Sequence, residues 1–212
     1  MPIDKSPVGT VRPHPLGHAI KERGALVENI SPAPSGQIER PVIVPLHQIA
    51  PADVEALLDA AFGPERFART AYRMRAGTLA LPALSFAALD GGRLVGTLQS
   101  WPVKLSTATG ERLPLCMVGP VAVMPDVQRG GIGRLLMAAL VEAAETHADS
   151  ALMMIGDPEY YGRFFNFSAE NTAQWELPGP FEQRRLLARS VGAHVPPAVA
   201  GMIEPDPSRN PD

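Results

Sequence analysis

The chain has 212 residues, of which 45% are hydrophobic and 19% are charged, and its formal net charge is -3. This length suits one domain with tails, and the composition supports a packed core and excludes a wholly disordered chain. The slightly acidic balance excludes a strongly basic protein that binds nucleic acid through its whole surface. The single cysteine, Cys116, excludes an intramolecular disulfide and a cysteine-rich zinc site, and it fits a reducing compartment.

No stretch of the sequence is long and apolar enough to cross a membrane as a helix. No run without a charged residue exceeds 14 residues, the length of 76–89, which contains Gly77 and Pro82. A membrane-spanning helix needs about 20 apolar residues. The first residues carry prolines where a signal peptide has its apolar region. We therefore predict a cytoplasmic protein that binds neither membrane nor nucleic acid.

Aromatic residues and prolines divide the chain into a central domain and two tails. Every aromatic residue lies between Phe62 and Phe181, whereas the prolines are concentrated toward both ends. A proline-rich segment without aromatic side chains buries little apolar area. We predict a proline-rich N-terminal tail at 1–38, a domain at 39–192 and a C-terminal tail at 193–212.

The predicted elements alternate between strands and helices. In chain order, the patterns predict a strand at 41–47, helices at 51–62 and 65–75, strands at 83–89, 93–105 and 113–124, a helix at 133–147 and a strand at 151–156. The sequence Asp90-Gly91-Gly92 supplies the positive φ that a hairpin turn requires. This order predicts a mixed α/β fold, with a sheet covered by helices.

The most informative segment is a strand, a turn and a helix start at 118–134. Its sequence is VGPVAVMPDVQRGGIGR, with glycines at 130, 131 and 133 where the helix begins. Backbone amides converge at such a helix start, beside its partial positive charge, and can hold a pyrophosphate. A β-carbon on these residues would keep the phosphate away from the amides.

Three phosphate-binding patterns compete for this turn. A Walker-type loop needs a lysine after its last glycine, and none follows Gly133. The dinucleotide pattern G-x-G-x-x-G begins at Gly131 and Gly133, but Leu136 stands at its third glycine position. The third pattern, Q/R-x-x-G-x-G/A, fits Gln128, Gly131 and Gly133.

This third pattern resembles the acetyl-CoA-binding motif of the GCN5-related N-acetyltransferase (GNAT) superfamily. Within the superfamily, the chain resembles the bacterial N-acetyltransferases. The resemblance covers about residues 41–190 and is strongest over 118–167, which includes the segment GDPEYYGRF at 156–164. It implies the acyl-CoA N-acyltransferase fold, a mixed α/β domain with a mostly antiparallel central sheet flanked by helices. It also implies acetyl-CoA as the co-substrate, with no metal.

The resemblance assigns acetyl-CoA to a gap beside the motif strand, where the pantetheine arm pairs with exposed backbone. Pro120 fits this arrangement because it lacks the amide that would continue a strand ladder. The backbone of 121–123 would polarise the thioester carbonyl, and 128–134 would hold the pyrophosphate. The residues that the resemblance places around the cofactor are Val121, Ala122, Val123, Gln128, Arg129, Gly130, Gly131, Ile132, Gly133, Arg134, Asp157 and Phe164.

The resemblance implies direct transfer of the acetyl group to a primary amine, without a covalent enzyme intermediate. Many relatives use a tyrosine after the next strand to protonate the leaving thiolate. Tyr161 and Tyr160 stand in that region, and Tyr161 is the preferred catalytic residue. The family segment reads Tyr-x-x-x-Gly-Phe, whereas this chain has one residue more and Asn166 in place of the glycine, so both tyrosines stay candidates. We expect Cys116 in the core rather than as a nucleophile.

The sequence identifies neither the general base nor the acceptor amine. Water, Glu111 or Asp157 could accept the amine proton, and no histidine stands out. The acceptor, a small molecule or a protein, is expected to bind between the helix pair at 51–75 and the region after Phe167. We find neither an acidic nor a basic cluster in those segments, and we expect a monomer or a homodimer.

Two other functions use the same glycine-rich turn. A CoA-binding sensor or interaction module without catalysis shares the whole pattern. A nucleotide-binding α/β domain would bind ATP or NAD more tightly than CoA. Measurements of ligand binding and of turnover distinguish these two functions from that of an acetyltransferase.

Overall fold

The computed structural model describes residues 40–211, apart from the side chain of Arg129. The predicted N-terminal tail at 1–38 lies outside these residues. Among the described residues, the α-helices are α1 Pro51–Phe62, α2 Thr70–Arg73, α3 Ile132–His147 and α4 Pro158–Phe165. The strands are β1 Val42–Pro45, β2 Phe86–Asp90, β3 Arg93–Ser106, β4 Arg112–Val123, β5 Ala151–Ile155, β6 Trp175–Glu176, β7 Leu186–Arg189 and β8 Gly201–Pro205. None of the described helices is long and apolar enough to cross a membrane.

Within residues 40–211, eight strands form one sheet in the order β1-β2-β3-β4-β5-β7, with β8 on β3 and β6 on β8. Neighbours are antiparallel, except for the parallel pairs β4–β5 and β6–β8. The long strand β3 carries β2 along its first half and β8 along its second half, on the same edge. The predicted fold class, a mixed α/β domain with a mostly antiparallel central sheet flanked by helices, is confirmed.

Helix α3 covers one face of the sheet. In β4, Cys116 and Val118 contact the α3 side, whereas Leu115 and Met117 belong to a second core with Trp175 on the opposite face. This alternation is the period-2 pattern of a strand buried on both sides. The helix lies so close to β3 that a β-carbon on Gly96 would lie 2.8 Å from Ile132 Cγ2.

The predicted helix at 65–75 is wrong as one continuous element. A 3-10 helix at Pro64–Ala68 is followed by an extended residue, Arg69, before the short α2 begins. The Arg66 guanidinium explains the interruption, since it turns back to the carboxylates of Glu55 and Asp59 on α1. The strand predicted at 83–89 also starts later, because a 3-10 helix occupies Pro82–Leu84.

The C-terminal segment belongs to the sheet, which corrects the prediction of a tail at 193–212. Strand β8 pairs with β3, and its Ile203 is fully buried. Proline is compatible with this course because Pro205 ends the strand and the Pro197 carbonyl accepts a hydrogen bond from Trp175 Nε1 at 3.1 Å. Composition alone misses such a strand, since its pairing partner lies about a hundred residues earlier in the chain.

Arg209 fastens the C-terminal segment to the sheet. Its guanidinium donates to the carbonyl of Leu115 at 3.0 Å and forms an ion pair with Asp149. We expect Arg209→Ala to lower the free energy of unfolding by about 2–3 kcal/mol, because buried carbonyls lose a charged donor. Urea denaturation measures this, with the exposed Arg112→Ala as a control that changes stability by less than about 0.5 kcal/mol. Equal stability of the two variants would contradict the fastening role.

Candidate active site

A gap opens in the sheet between β4 and β5. The two strands pair only where residues 115–117 of β4 lie beside residues 151–153 of β5. Beyond Met117, β4 continues to Val123, and no strand within the described residues pairs with it on that side. Backbone amides and carbonyls along this part of β4 therefore face a cavity instead of another strand.

The register of β4 on β3 determines which backbone groups face the gap. The Met124 amide donates to the Val95 carbonyl at 2.9 Å. Because bonded and non-bonded pairs alternate in an antiparallel ladder, Ala122 bonds to β3, and the amides and carbonyls of Val121 and Val123 point away from it. The Val123 carbonyl accepts the Gln128 side-chain amide at 3.4 Å, which is consistent with this direction.

A β-bulge interrupts β4 just before these residues. Gly119 and Pro120 together lie opposite the single residue Gln99 of β3. The carbonyl of Gly119 accepts a hydrogen bond from Trp101 Nε1 at 2.9 Å. A bulge of this kind ends regular pairing and redirects the strand, so it contributes to the opening of the gap.

The glycine-rich turn forms the start of α3, at the end of the gap. Gly131 is the N-cap residue, with φ 74°, and its carbonyl accepts the Arg134 amide at 3.0 Å. The amides of Ile132 and Gly133 are in the first turn, where an α-helix leaves them without an intrahelical partner. Among the atoms that the structure describes, a β-carbon on Gly133 would meet only Val123 Cγ2, at 3.9 Å. Packing within the chain therefore does not require glycine at position 133.

Helix α4 follows β5 and presents the two tyrosines. Asp157 is its N-cap, and the carboxylate accepts the amides of Glu159 at 2.9 Å and Tyr160 at 3.2 Å. Hydrogen bonds involving Glu159 and the Tyr160 amide hold the pKa of Asp157 below its usual value. Asn166 ends the helix with φ 57°, a left-handed conformation that asparagine adopts more readily than most residues. This explains how asparagine replaces the glycine of the family segment.

Burial raises the pKa values of both Tyr160 and Tyr161. Desolvation raises the pKa of Tyr161 to about 12, with smaller contributions from Tyr160 and Asp157. The pKa of Tyr160 is also raised by burial, and the charge of Arg134 opposes that rise. Arg134 in turn lies over the Phe164 ring, 4.5 Å from its centre.

The Tyr161 ring packs directly against Gly156. A β-carbon on Gly156 would lie 2.5 Å from Cδ2 and 2.7 Å from Cε2 of that ring. We expect Gly156→Ala to displace Tyr161, lower kcat and cost about 1–3 kcal/mol of stability through overpacking. Urea denaturation and turnover measure the two effects. In a Tyr161→Ala background the same change should cost less, and an equal cost in both backgrounds would contradict the contact.

Two cavities meet at the tyrosines. A cavity of about 420 Å³ extends along the gap to the start of α3. A larger cleft of about 1070 Å³ lies on the other side, toward α2 and the segment around Phe181. Both are lined by Phe62, Val121, Tyr160 and Tyr161.

The smaller cavity brings together most of the residues predicted to hold the cofactor. Those that line it are Val121, Ala122, Val123, Gln128, Gly131, Gly133 and Arg134. Ile132 instead points into the core, where its side chain is 2% exposed. Gly130, just before α3, and Phe164, near the end of α4, are exposed. Asp157 lines the larger cleft.

The larger cleft contains functional candidates that the sequence reasoning missed. Arg66, Arg69, Arg75 and Arg185 all line it, so the expectation of no basic cluster in the acceptor region is wrong. The signal was present as four arginines between positions 66 and 75, but helical spacing alone did not show which of them share a surface.

The structure narrows the choice of general base. Glu111 lies in the β3–β4 turn, and Gly119 follows it eight positions later along the strand, a distance of about 26 Å. That distance excludes Glu111 from the reaction. Asp157 lines the cleft, but its lowered pKa makes it a weak base. Burial raises the pKa of Cys116 to about 12, which keeps this thiol protonated and unreactive.

Comparison with known protein families identifies the same region. A family model described as "Acetyltransferase (GNAT) domain" matches residues 51–166. The match begins with α1 and ends at the C-cap of α4, so it includes the glycine-rich turn, β5 and both tyrosines.

Two curated relatives are named uncharacterized N-acetyltransferases. The chain is 30% identical to one from Streptomyces avermitilis over 102 residues, which are 47% of this chain and 24% of that protein. It is 26% identical to YhbS of Escherichia coli over 158 residues, which are 71% of this chain and 87% of that protein. The match thus spans about a quarter of the Streptomyces protein and most of YhbS.

Solved structures share the fold. YhbS from Escherichia coli, a GNAT family N-acetyltransferase in complex with CoA, has a TM-score of 0.60 at 24% identity and covers 79% of this chain and 90% of that chain. A GNAT family acetyltransferase from Brucella melitensis in complex with acetyl-CoA has a TM-score of 0.50 at 22% identity, with 77% and 94% covered. Because the matched domain spans more than half of the chain, and because the motif opens α3 beside a gap in a sheet of that fold, this chain belongs to the GNAT family of acetyltransferases.

Proposed function

We propose that this protein transfers an acetyl group directly from acetyl-CoA to a primary amine of a small molecule or a protein. The observation that carries the proposal is the gap between β4 and β5, which ends at a helix start whose Gly133 has no packing role. The two solved structures compared above contain CoA or acetyl-CoA. The residues lining the smaller cavity suit the same ligand, with pyrophosphate at the amides of α3 and the pantetheine arm along β4.

In this proposal, backbone groups of β4 orient and polarise the thioester. The free amides of Val121 and Val123 are hydrogen-bond donors held by the sheet, so they need no reorganisation when negative charge develops on the carbonyl oxygen. The Ala122 amide is excluded from this role because it bonds to β3. This refines the predicted set 121–123 to its two outer members.

The acceptor attacks as the neutral amine, and its nitrogen forms a bond to the carbonyl carbon while the carbon–sulfur bond breaks. Tyr161 donates its hydroxyl proton to the leaving sulfur, and the proton released by the amine returns to the tyrosinate through water. Because burial raises the pKa of Tyr161 to about 12, this group stays protonated throughout the neutral range. No covalent enzyme intermediate is formed, which agrees with the inert state of Cys116.

Calorimetric titration with acetyl-CoA, CoA, NAD and ATP tests the cofactor, and an amine screen followed by thiol release tests the reaction. We expect acetyl-CoA to bind with a Kd in the micromolar range and NAD and ATP to bind far more weakly. Tighter binding of NAD or ATP would favour a nucleotide-binding domain. Binding of acetyl-CoA without thiol release for any amine would favour a sensor or interaction module.

A further inference from the structure

The larger cleft contains more positive than negative side chains. Its charged lining residues are Arg66, Arg69, Arg75, Arg185, Asp157 and Glu182. Arg66 is neutralised by its ion pairs with Glu55 and Asp59, and Asp157 is occupied with the amides of α4. Among the remaining cations, Arg69 and Arg185 are exposed, whereas Arg75 is half-buried.

Neighbouring side chains hold the Arg75 guanidinium in place. It lies over the ring of Tyr72 at 3.6 Å and over the ring of Trp101 at 4.7 Å. Its Nη1 donates to Gln99 Oε1 at 3.0 Å, and Gln99 is 7% exposed. Two stacking contacts and a hydrogen bond orient this fork of donors before any ligand binds, which reduces the entropy lost on binding.

Arg75 has no carboxylate partner among the described residues. The ion pairs within 40–211 do not include it, and Glu55, a nearby carboxylate whose charge acts on it, pairs with Arg66. Burial lowers the pKa of Arg75, and the neighbouring Tyr72 and Glu55 oppose this shift only in part. A guanidinium that is half-buried, oriented and unpaired suits an oxyanion from outside the chain.

Arg75 lies near the bulge at which β4 enters the gap in the sheet. Gln99 is opposite the bulge at Gly119 and Pro120, and Trp101 donates to the Gly119 carbonyl. Arg75 therefore lies beside the point where β4 enters the gap, in the cleft that Tyr160 and Tyr161 also line. It does not line the smaller cavity, where Arg134 is the cation at the start of α3.

We propose that the acceptor amine carries an oxyanion, a carboxylate or a phosphate, which binds to Arg75 while the amine faces the thioester. This inference rests on the proposed acetyltransferase function and specifies its substrate class. The exposed Arg69 and Arg185 add positive charge at the cleft and favour entry of such an anion. An acceptor with a second amine in place of the oxyanion would instead meet the guanidinium groups of Arg69, Arg75 and Arg185.

Matched acceptor pairs test the proposal. The carboxylate pairs are 3-aminopropanoate with its amide and 4-aminobutanoate with its amide, and the phosphate pair is 2-aminoethyl phosphate with 2-aminoethanol. We expect kcat/KM for the anionic member of at least one pair to exceed that of its neutral partner about tenfold to a hundredfold. The pair that shows the preference distinguishes carboxylate from phosphate.

Variants assign the preference to Arg75. Arg75→Met should raise KM for the anionic acceptor about tenfold to a hundredfold more than KM for its neutral partner, so that discrimination disappears. Arg75→Lys should restore part of it, because the charge stays but the fork is lost. Arg112→Met, at the exposed start of β4, is the control and should keep full discrimination.

A binding measurement on the CoA-bound protein does not depend on turnover. Titration with 3-aminopropanoate or 2-aminoethyl phosphate should shift the Arg75 Nε–H resonance, and the neutral partners should not. Equal or faster acetylation of the neutral members, unchanged discrimination in Arg75→Met, or an unmoved resonance with all anions would overturn the proposal. Acetyl-CoA binding is measured beside these tests, because its loss would instead refute the proposed function.

Discussion

Replacing Gly133 with glutamate is expected to weaken acetyl-CoA binding by at least about a hundredfold, because each amide bond to a charged phosphate contributes about 1.5–3 kcal/mol and several are blocked. The side chain would occupy the start of α3, and its charge would repel the pyrophosphate. Folding should be unaffected, since a β-carbon there meets only Val123 at 3.9 Å and an acidic residue suits the first turn of a helix. Calorimetric titration measures the Kd, and urea denaturation measures the stability.

Two further variants test whether the loss of acetyl-CoA binding depends on a side chain at position 133 rather than on added charge alone. Gly133→Ala should keep or raise stability by up to about 1 kcal/mol and still weaken acetyl-CoA binding, because only the ligand requires the missing β-carbon. Ala138→Glu adds the same charge to an exposed position on α3 and should leave the Kd unchanged. If Gly133→Glu bound acetyl-CoA like the native chain in a folded sample, the glycine-rich turn would be structural and the proposed cofactor site would be refuted.

Removing the Tyr161 hydroxyl with Tyr161→Phe is expected to lower kcat about 10²–10⁴-fold, the usual contribution of a general acid. The ring and its contact with Gly156 are retained, so the Kd for acetyl-CoA and the stability should change little. Thiol release with the best amine of the screen measures kcat. Loss of activity through deprotonation of this group is expected only as the pH approaches the raised pKa of about 12.

Tyr160→Phe is the matched control, because Tyr160 is the neighbouring residue and lines the same two cavities. We expect a small change in kcat from this variant. A large loss in Tyr160→Phe with none in Tyr161→Phe would exchange the two roles. Full activity in both single variants and in the double variant would show that neither tyrosine is the acid.

Elements with a strong local pattern could be predicted from the sequence within a residue or two. Helix α1 begins at Pro51 and ends before Gly63 as expected, and α3 begins at Ile132, one residue before its prediction. Proline at the first helical position and glycine after the last are signals within the element itself. The prediction of one helix after Gly63 was wrong because the ion pairs of Arg66 with α1 override the local helical pattern of this segment.

The candidate site likewise combines residues that local patterns predict with residues that only the fold brings together. The glycine-rich turn and the two tyrosines could be located from their own segments and the family they resemble. The basic cleft could not be predicted, because its arginines come from the 3-10 helix at Pro64–Ala68, from positions on either side of α2 and from the segment before β7. Whether a guanidinium faces that cleft or an acidic partner depends on residues that are distant in the sequence.

By itself, the sequence determined the family, the mixed α/β class, and the strand, turn and helix that suit a pyrophosphate. These depend on residue types at short spacings, where backbone geometry leaves few alternatives. Only the tertiary structure shows that β4 and β5 separate after Met117, that β8 joins β3, and that Arg75 lies beside the bulge with no carboxylate partner among residues 40–211. Strand pairing and side-chain burial arise from contacts between distant segments, and no local pattern specifies them.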